Sequence, residues 1–116
     1  MILWEKVGRI LLADQAVDFR KSVNGLCILI QEAYEENPGS GDVYVFYNKR
    51  RNSLKIMYYD QNGFMLLYKR LEKGRYKIEH SSDERKELDD QMLKWLLAGL
   101  DFERLSAVPT VYRNYG

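Results

Sequence analysis

The chain has 116 residues, 46% of them hydrophobic and 30% charged, with a formal charge of +1. That size and balance suit a single folded domain over 1–116 with one core, and they exclude global disorder. The longest clean apolar run, from Leu26 to Ile30, falls far short of the ~18 residues of a membrane helix, the opening Met1-Ile2-Leu3-Trp4-Glu5-Lys6 lacks the pattern of a signal peptide, and the single Cys27 forms no internal disulfide. The expectation is a cytoplasmic protein that does not engage a membrane.

Along the chain, residues 9–13 suggest a short first strand. Phe19, Val23, Leu26, Cys27, Ile30, Ala33 and Tyr34 recur at intervals of three and four behind Asp18, which predicts an amphipathic helix over 19–36 closed by Pro38-Gly39-Ser40-Gly41. Gly25 inside that helix costs about 1 kcal/mol relative to alanine, so a close approach to a neighbouring element is expected there. Three runs of aromatic and β-branched residues follow, at 42–47, 54–59 and 64–71. They are separated by turn-forming residues, with Asn62-Gly63 offering the positive φ of a hairpin bend. A further strand is expected at 75–78. A last helix carries Leu88, Met92, Trp95, Leu96 and Gly99 on one stripe, its start set either by Ser81-x-x-Glu84 or by Asp89 in the range 89–100. The fold expected is α+β: an antiparallel β-meander of three to five strands with two helices packed on one face, a core over about 10–102 and a tail at 104–116.

Within the meander Leu54, Ile56 and Tyr58 share one face, while Lys55, Met57 and Tyr59 share the other. Taking the first face as inward buries Phe19, Leu26, Ile30, Trp95 and Leu96 against Leu54, Ile56 and Leu66, and turns Lys55 and Lys69 away from the helices. The outward face, methionine and tyrosine interleaved with lysine, suits a solvated surface, a subunit interface or a nucleic-acid platform.

Charge is unevenly spread. Residues 47–77 carry nine cations against Asp60 and Glu72. Lys49, Arg50, Arg51, Lys55, Lys69 and Arg70, with Lys21 near the first helix, are the candidate nucleic-acid-binding residues. Cations at a hairpin tip can neutralise phosphates, and Tyr47, Tyr59 and Tyr76 could stack on single-stranded bases. For any one of these residues ordinary packing or solvation is the stronger reading; the cluster as a whole stands even. The segment 79–103 carries eight acids against Arg85, Lys86 and Lys94, so pairing between copies competes with DNA as an explanation. Arg20 reads best as an ion pair with Asp18.

Signs of catalysis are missing. His80 is the only histidine and reads as a loop residue, and Cys27 on an apolar stripe reads as an inert thiol. Gly39-Ser40-Gly41 lacks the lysine and strand-to-helix setting of a phosphate loop. An acidic trio of Asp14, Asp18 and Asp60 carries little weight among 17 acids. No catalytic residue, metal site or cofactor is expected.

An ordered set of blocks carries a family resemblance: Asp18-Phe19-Arg20-Lys21 with Asn24-Gly25-Leu26, Tyr44-Val45-Phe46, Asn48-Lys49-Arg50-Arg51, Leu54-Lys55-Ile56, Tyr59-Asp60 with Gly63, Tyr68-Lys69-Arg70-Leu71-Glu72 with Gly74, and Leu96-Leu97 with Gly99 and Asp101. Together they resemble the TnpB-type accessory protein, from the second open reading frame, of bacterial insertion-sequence family sixty-six. The resemblance implies a non-enzymatic accessory role in transposition beside a separate transposase. Its expected partners are DNA, the transposase or another accessory protein of the same element, and a second copy of the chain. A protein–protein adaptor or self-associating domain without nucleic-acid binding is the alternative, and a nuclease ranks last.

Overall fold

The computed structural model describes residues 8–79 and 84–108. Among these residues five strands form one open sheet: β1 (Ile10–Leu12), β2 (Val43–Tyr47), β3 (Ser53–Asp60), β4 (Gly63–Arg70) and β5 (Lys86–Leu88), in the spatial order β4-β3-β2-β1-β5. Three helices accompany it among the described residues: α1 (Val23–Glu32), α2 (Asp90–Leu97) and α3 (Phe102–Ser106). The α+β class and the β2-β3-β4 meander are as expected. The first strand pairs parallel with β2, through Ile10–Val43 and Leu12–Val45, and α1 supplies the crossover that a parallel pair requires. Hydrogen bonds from Ala13 N to Val45 O and from Val17 N to Tyr47 O, both 2.9 Å, carry this ladder past the end of β1.

All five residues of β2 are buried, so the sheet is covered on both faces. Register settles what covers each. Phe46, Lys55 and Tyr68 lie opposite one another on one face, and Tyr47, Leu54 and Lys69 on the other. The Lys55 ammonium donates to Phe19 O (2.8 Å) and Lys21 O (2.7 Å) at the entry to α1, and the Tyr34 ring stacks on Tyr44 beyond its end. Lys69 donates to Leu97 O at the end of α2 (2.9 Å), and Lys86 lies over the Phe102 ring of α3. The helices therefore occupy opposite faces, and the expectation of one helix-covered face, with Lys55 pointing away from it, is corrected. A strand buried on both sides shows no apolar/polar alternation, and lysine can enter a core when carbonyls receive its ammonium. Leu26, Ile30, Leu54, Ile56 and Leu96 are buried as expected; Phe19, Leu66 and Trp95 are half-buried.

Element ends differ from expectation for local reasons. The first helix is shorter at both ends. Ser22 occupies its N-cap without a side-chain bond, and Glu35 turns left-handed (φ 54°). The close approach at Gly25 comes from its own chain: an added Cβ would lie 3.1 Å from Lys21 Cβ. Asp89 caps α2 by accepting from Met92 N at 2.8 Å, which selects the shorter start; Ser81 of the other choice lies outside the described residues, as does His80. Gly99 does not continue the apolar stripe. It takes φ 79° and stops the helix with its N–H on Leu96 O, and Asp101 then caps α3, a helix with no sequence expectation behind it. In the β3–β4 turn the positive φ falls on Gln61 (53°), and Gly63 begins β4. Residues 75–78 form no strand; Tyr76 N instead donates to Arg51 O at 2.7 Å. The remaining strand is β5, antiparallel to β1 at the far edge.

The chain leading into β5 is held by charge. Arg85 donates twice to the Glu36 carboxylate, at 2.6 and 3.1 Å, and stacks 4.4 Å from the Tyr34 ring. Tyr44 Oη donates to the same carboxylate at 3.0 Å, and Arg9 links it to Asp42. The Arg85 hydrogen bonds, ahead of smaller contributions from Tyr44 and Arg9, hold the Glu36 carboxyl below its usual value of 4.5. A depressed folded pKa stabilises fully above pH 4.5 and loses that contribution as pH falls through the folded value. Glu36→Gln is expected to cost about 1–3 kcal/mol near neutrality. It should also flatten the part of the acid-unfolding profile below pH 4.5, as read by denaturant titrations at several pH values.

Candidate nucleic-acid interface

The β2–β3 connection is a rigid tip. Asn48 Oδ1 accepts from Asn52 N and Ser53 N, both at 3.1 Å, and Asn48 O accepts from Arg51 N at 2.9 Å. This closes a turn whose outer corner is Lys49-Arg50, both exposed, and in which Arg51 adopts φ 60°. Strain of that kind at a non-glycine residue persists where surrounding bonds over-determine the backbone. Two such bonds come from beyond β4: Leu71 N donates to Asn52 O (2.8 Å) and Tyr76 N to Arg51 O.

That return of the chain gathers charge at one end of the sheet. Arg70 pairs with Ser53 beside the tip. Lys49, Arg50 and Arg51 share an open cleft of about 700 Å³ with Gln15, Asp18 and Arg20 from the β1–α1 connection. Arg51 also lines a second cleft with Arg75, Lys77, Glu79 and Asp101. The Arg51 Nε is buried without a hydrogen-bond partner. Among the described residues Lys49, Arg50, Arg51 and Arg70 make no ion pair. Arg20 does, gripping Asp18 at distances of 2.7–3.1 Å, as expected, and those hydrogen bonds hold the Asp18 carboxyl down at about 2.

The expected cluster is therefore only partly assembled. Lys49, Arg50, Arg51 and Arg70 come together. Lys55 is 8% exposed, its ammonium 5.0 Å from the Phe19 ring, and offers nothing to a ligand. Lys69 lies on the opposite face, across from Leu54, with its ammonium at the carbonyl end of α2. Lys55 and Lys69 are thus not neighbouring cations on a bare surface: Lys55 faces Tyr68. Lys21 is exposed, lies over Gly25 and does not line the cleft. Arg75 and Lys77, not among the expected site residues, join through the Tyr76–Arg51 bond, which has no signal in the sequence. Tyr47 and Tyr76 are 1% and 2% exposed, so neither presents a ring for base stacking. Tyr59 is the more exposed of the three and sits at the other end of β3 against Phe64.

Among the described residues no group of three or more His, Cys, Asp or Glu side chains could hold a metal ion, and no helix is long and apolar enough to cross a membrane. Cys27 is half-buried, with its thiol pKa raised by burial.

The model of the IS66 Orf2-like protein family matches residues 8–107, and the chain belongs to that family. The family is associated with transposition of the insertion sequence and is not a known enzyme family. An uncharacterized protein of Sinorhizobium fredii, y4jC, is 37% identical over 101 residues, covering 87% of this chain and 86% of that protein. A second from the same organism, y4hO, is 29% identical over 94 residues, covering 81% and 82%. No solved structure matches the chain.

The structure separates two kinds of lysine, and they should respond differently to substitution. Lys55→Met leaves the Phe19 and Lys21 carbonyls without their donor and should destabilise the fold by about 1–3 kcal/mol. Lys49→Ala should change stability by no more than about 0.5 kcal/mol. Chemical denaturation of both variants compares them directly.

Proposed function

We propose that the protein is a non-catalytic accessory factor in transposition that contacts the DNA backbone through the basic end of its sheet. The observation that carries this reading is the convergence of Lys49, Arg50, Arg51 and Arg70 on a braced tip, with no carboxylate paired to any of them among the described residues. Unpaired cations in a fixed array suit phosphates, whose counterions are released on binding, and they position a duplex without reading its bases. Burial of Tyr47 and Tyr76 takes away two of the three rings expected to stack on bases, which supports duplex over single strands. The adaptor reading through the last helix has less support, because Leu93 and Leu96 are buried and Met92, Trp95 and Leu97 pack against the same core.

Replacing Lys49 and Arg50 together by alanine should leave the fold intact and weaken duplex binding. The slope of log K against log salt should become shallower by about 1 to 2, at ~0.9 for each phosphate no longer neutralised. Fluorescence anisotropy at several salt concentrations measures it, and a wild-type protein that binds no DNA at low salt would sink the reading. A separate check concerns chemistry. With magnesium or manganese present the purified protein is expected to leave DNA uncut; cutting abolished by Asp18→Asn or Asp60→Asn would reverse the non-catalytic assignment.

A further inference from the structure

The two edges of the sheet are built differently. At one edge β5 has three residues and carries Lys86 and Glu87, a short charged end of the kind that discourages pairing with another chain. At the other, β4 runs for eight residues, pairs among the described residues only with β3, and its register shows no bulge. Phe64-Met65-Leu66-Leu67-Tyr68 at its centre contains no charge and no proline. Met65 is 39% and Tyr68 56% exposed. A long, flat, apolar edge with unpaired backbone groups is a template for another strand.

We propose that β4 pairs with β4 of a second copy, antiparallel about a two-fold axis at Leu66, joining two sheets into one of ten strands. Self-complementarity singles out the second copy as occupant. A two-fold axis perpendicular to the sheet keeps each face continuous, so only residues of equal parity pair. Centring on Leu66 sets Met65 against Leu67 and Phe64 against Tyr68 of the second copy, an aromatic pair on the α1 face. It also sets Gly63 against the second copy's Lys69. Gly63 has no side chain and is itself opposite Asp60, which is exposed and makes no ion pair among the described residues. The second copy's Lys69 can therefore reach over the glycine toward the Asp60 carboxylate, two strand spacings away, about 9.6 Å. An ammonium has three donors, and Lys69 uses one on Leu97 O. The pairing occurs twice by symmetry. Centring on Leu67 would instead set Met65 against Lys69 and Phe64 against Arg70; centring on Met65 would set Lys69 against Gln61. Neither uses Asp60.

The test needs no DNA, so its outcome is independent of the proposed DNA contact. Sedimentation velocity of the full chain should show a concentration-dependent monomer–dimer equilibrium. Met65→Lys, at an exposed position, should raise the dimer dissociation constant at least tenfold with an unchanged circular dichroism spectrum. Asp60→Lys should do the same, and the double swap Asp60→Lys with Lys69→Asp should recover dimerisation. Under mild oxidation Leu66→Cys should form a covalent dimer, because two-fold mates at that position fall within the Cα separation of a disulfide, about 4.4–6.8 Å. Tyr68→Cys, whose mate is Phe64, should not. A protein that stays monomeric at every concentration, forms open-ended polymers, or dimerises without any response to Met65→Lys and the charge swap would overturn the proposal. If Leu66→Cys fails to fold, the exposed substitutions still decide it.

Discussion

The structure depends on β2 being buried along its whole length on both faces. Five consecutive residues with no solvent-facing side need cover above and below, and the three helices have to be divided to supply it. The first helix, obliged to cross over between the parallel strands β1 and β2, takes one face; α2 and α3 take the other. That division also settles which side of β3 buries a lysine.

Lys55 shows how the division is made at one position. Its face buries Met57, two residues along β3, and Phe46, directly opposite the lysine on β2. Two backbone carbonyls at the entry to α1 receive its ammonium, and the rings of Phe19 and Tyr68 flank it at 5.0 and 5.9 Å. The carbonyls it satisfies belong to a segment that no strand or helix ladder serves, so the buried charge and the irregular backbone complete each other. The same lysine that looks like a phosphate ligand in the sequence is thereby part of the core.

The basic end and the bare β4 edge lie close together, since Arg70 ends β4 beside the hairpin tip. The two surfaces differ in physical character. The tip is cationic, strained and braced by Asn48 and by the returning chain; the edge is neutral and regular. Salt weakens the first kind of contact more steeply than the second, whose centre is apolar, so one small sheet can carry two surfaces with separate responses.

What the sequence determined by itself was local. Aromatic and β-branched runs broken by Asn, Asp and Gly are enough to place β2, β3 and β4 within a residue or so, because turn chemistry and strand propensity act over a few neighbours. Asp89 as a cap and the Asp18–Arg20 pair were legible for the same reason, and the ordered blocks carried the family. Gly99 followed by Asp101 held the stop and restart of the last helix, a readable signal hidden by the apolar stripe running through it. Only the tertiary structure decided which face of β3 points where, since strand periodicity gives two equivalent choices and the number of covered faces breaks the tie. It alone decided that Lys69 caps α2 and that Tyr76 ties Arg75 and Lys77 to Arg51. Those bonds join residues far apart along the chain, and nothing in a linear pattern encodes a distance through the fold.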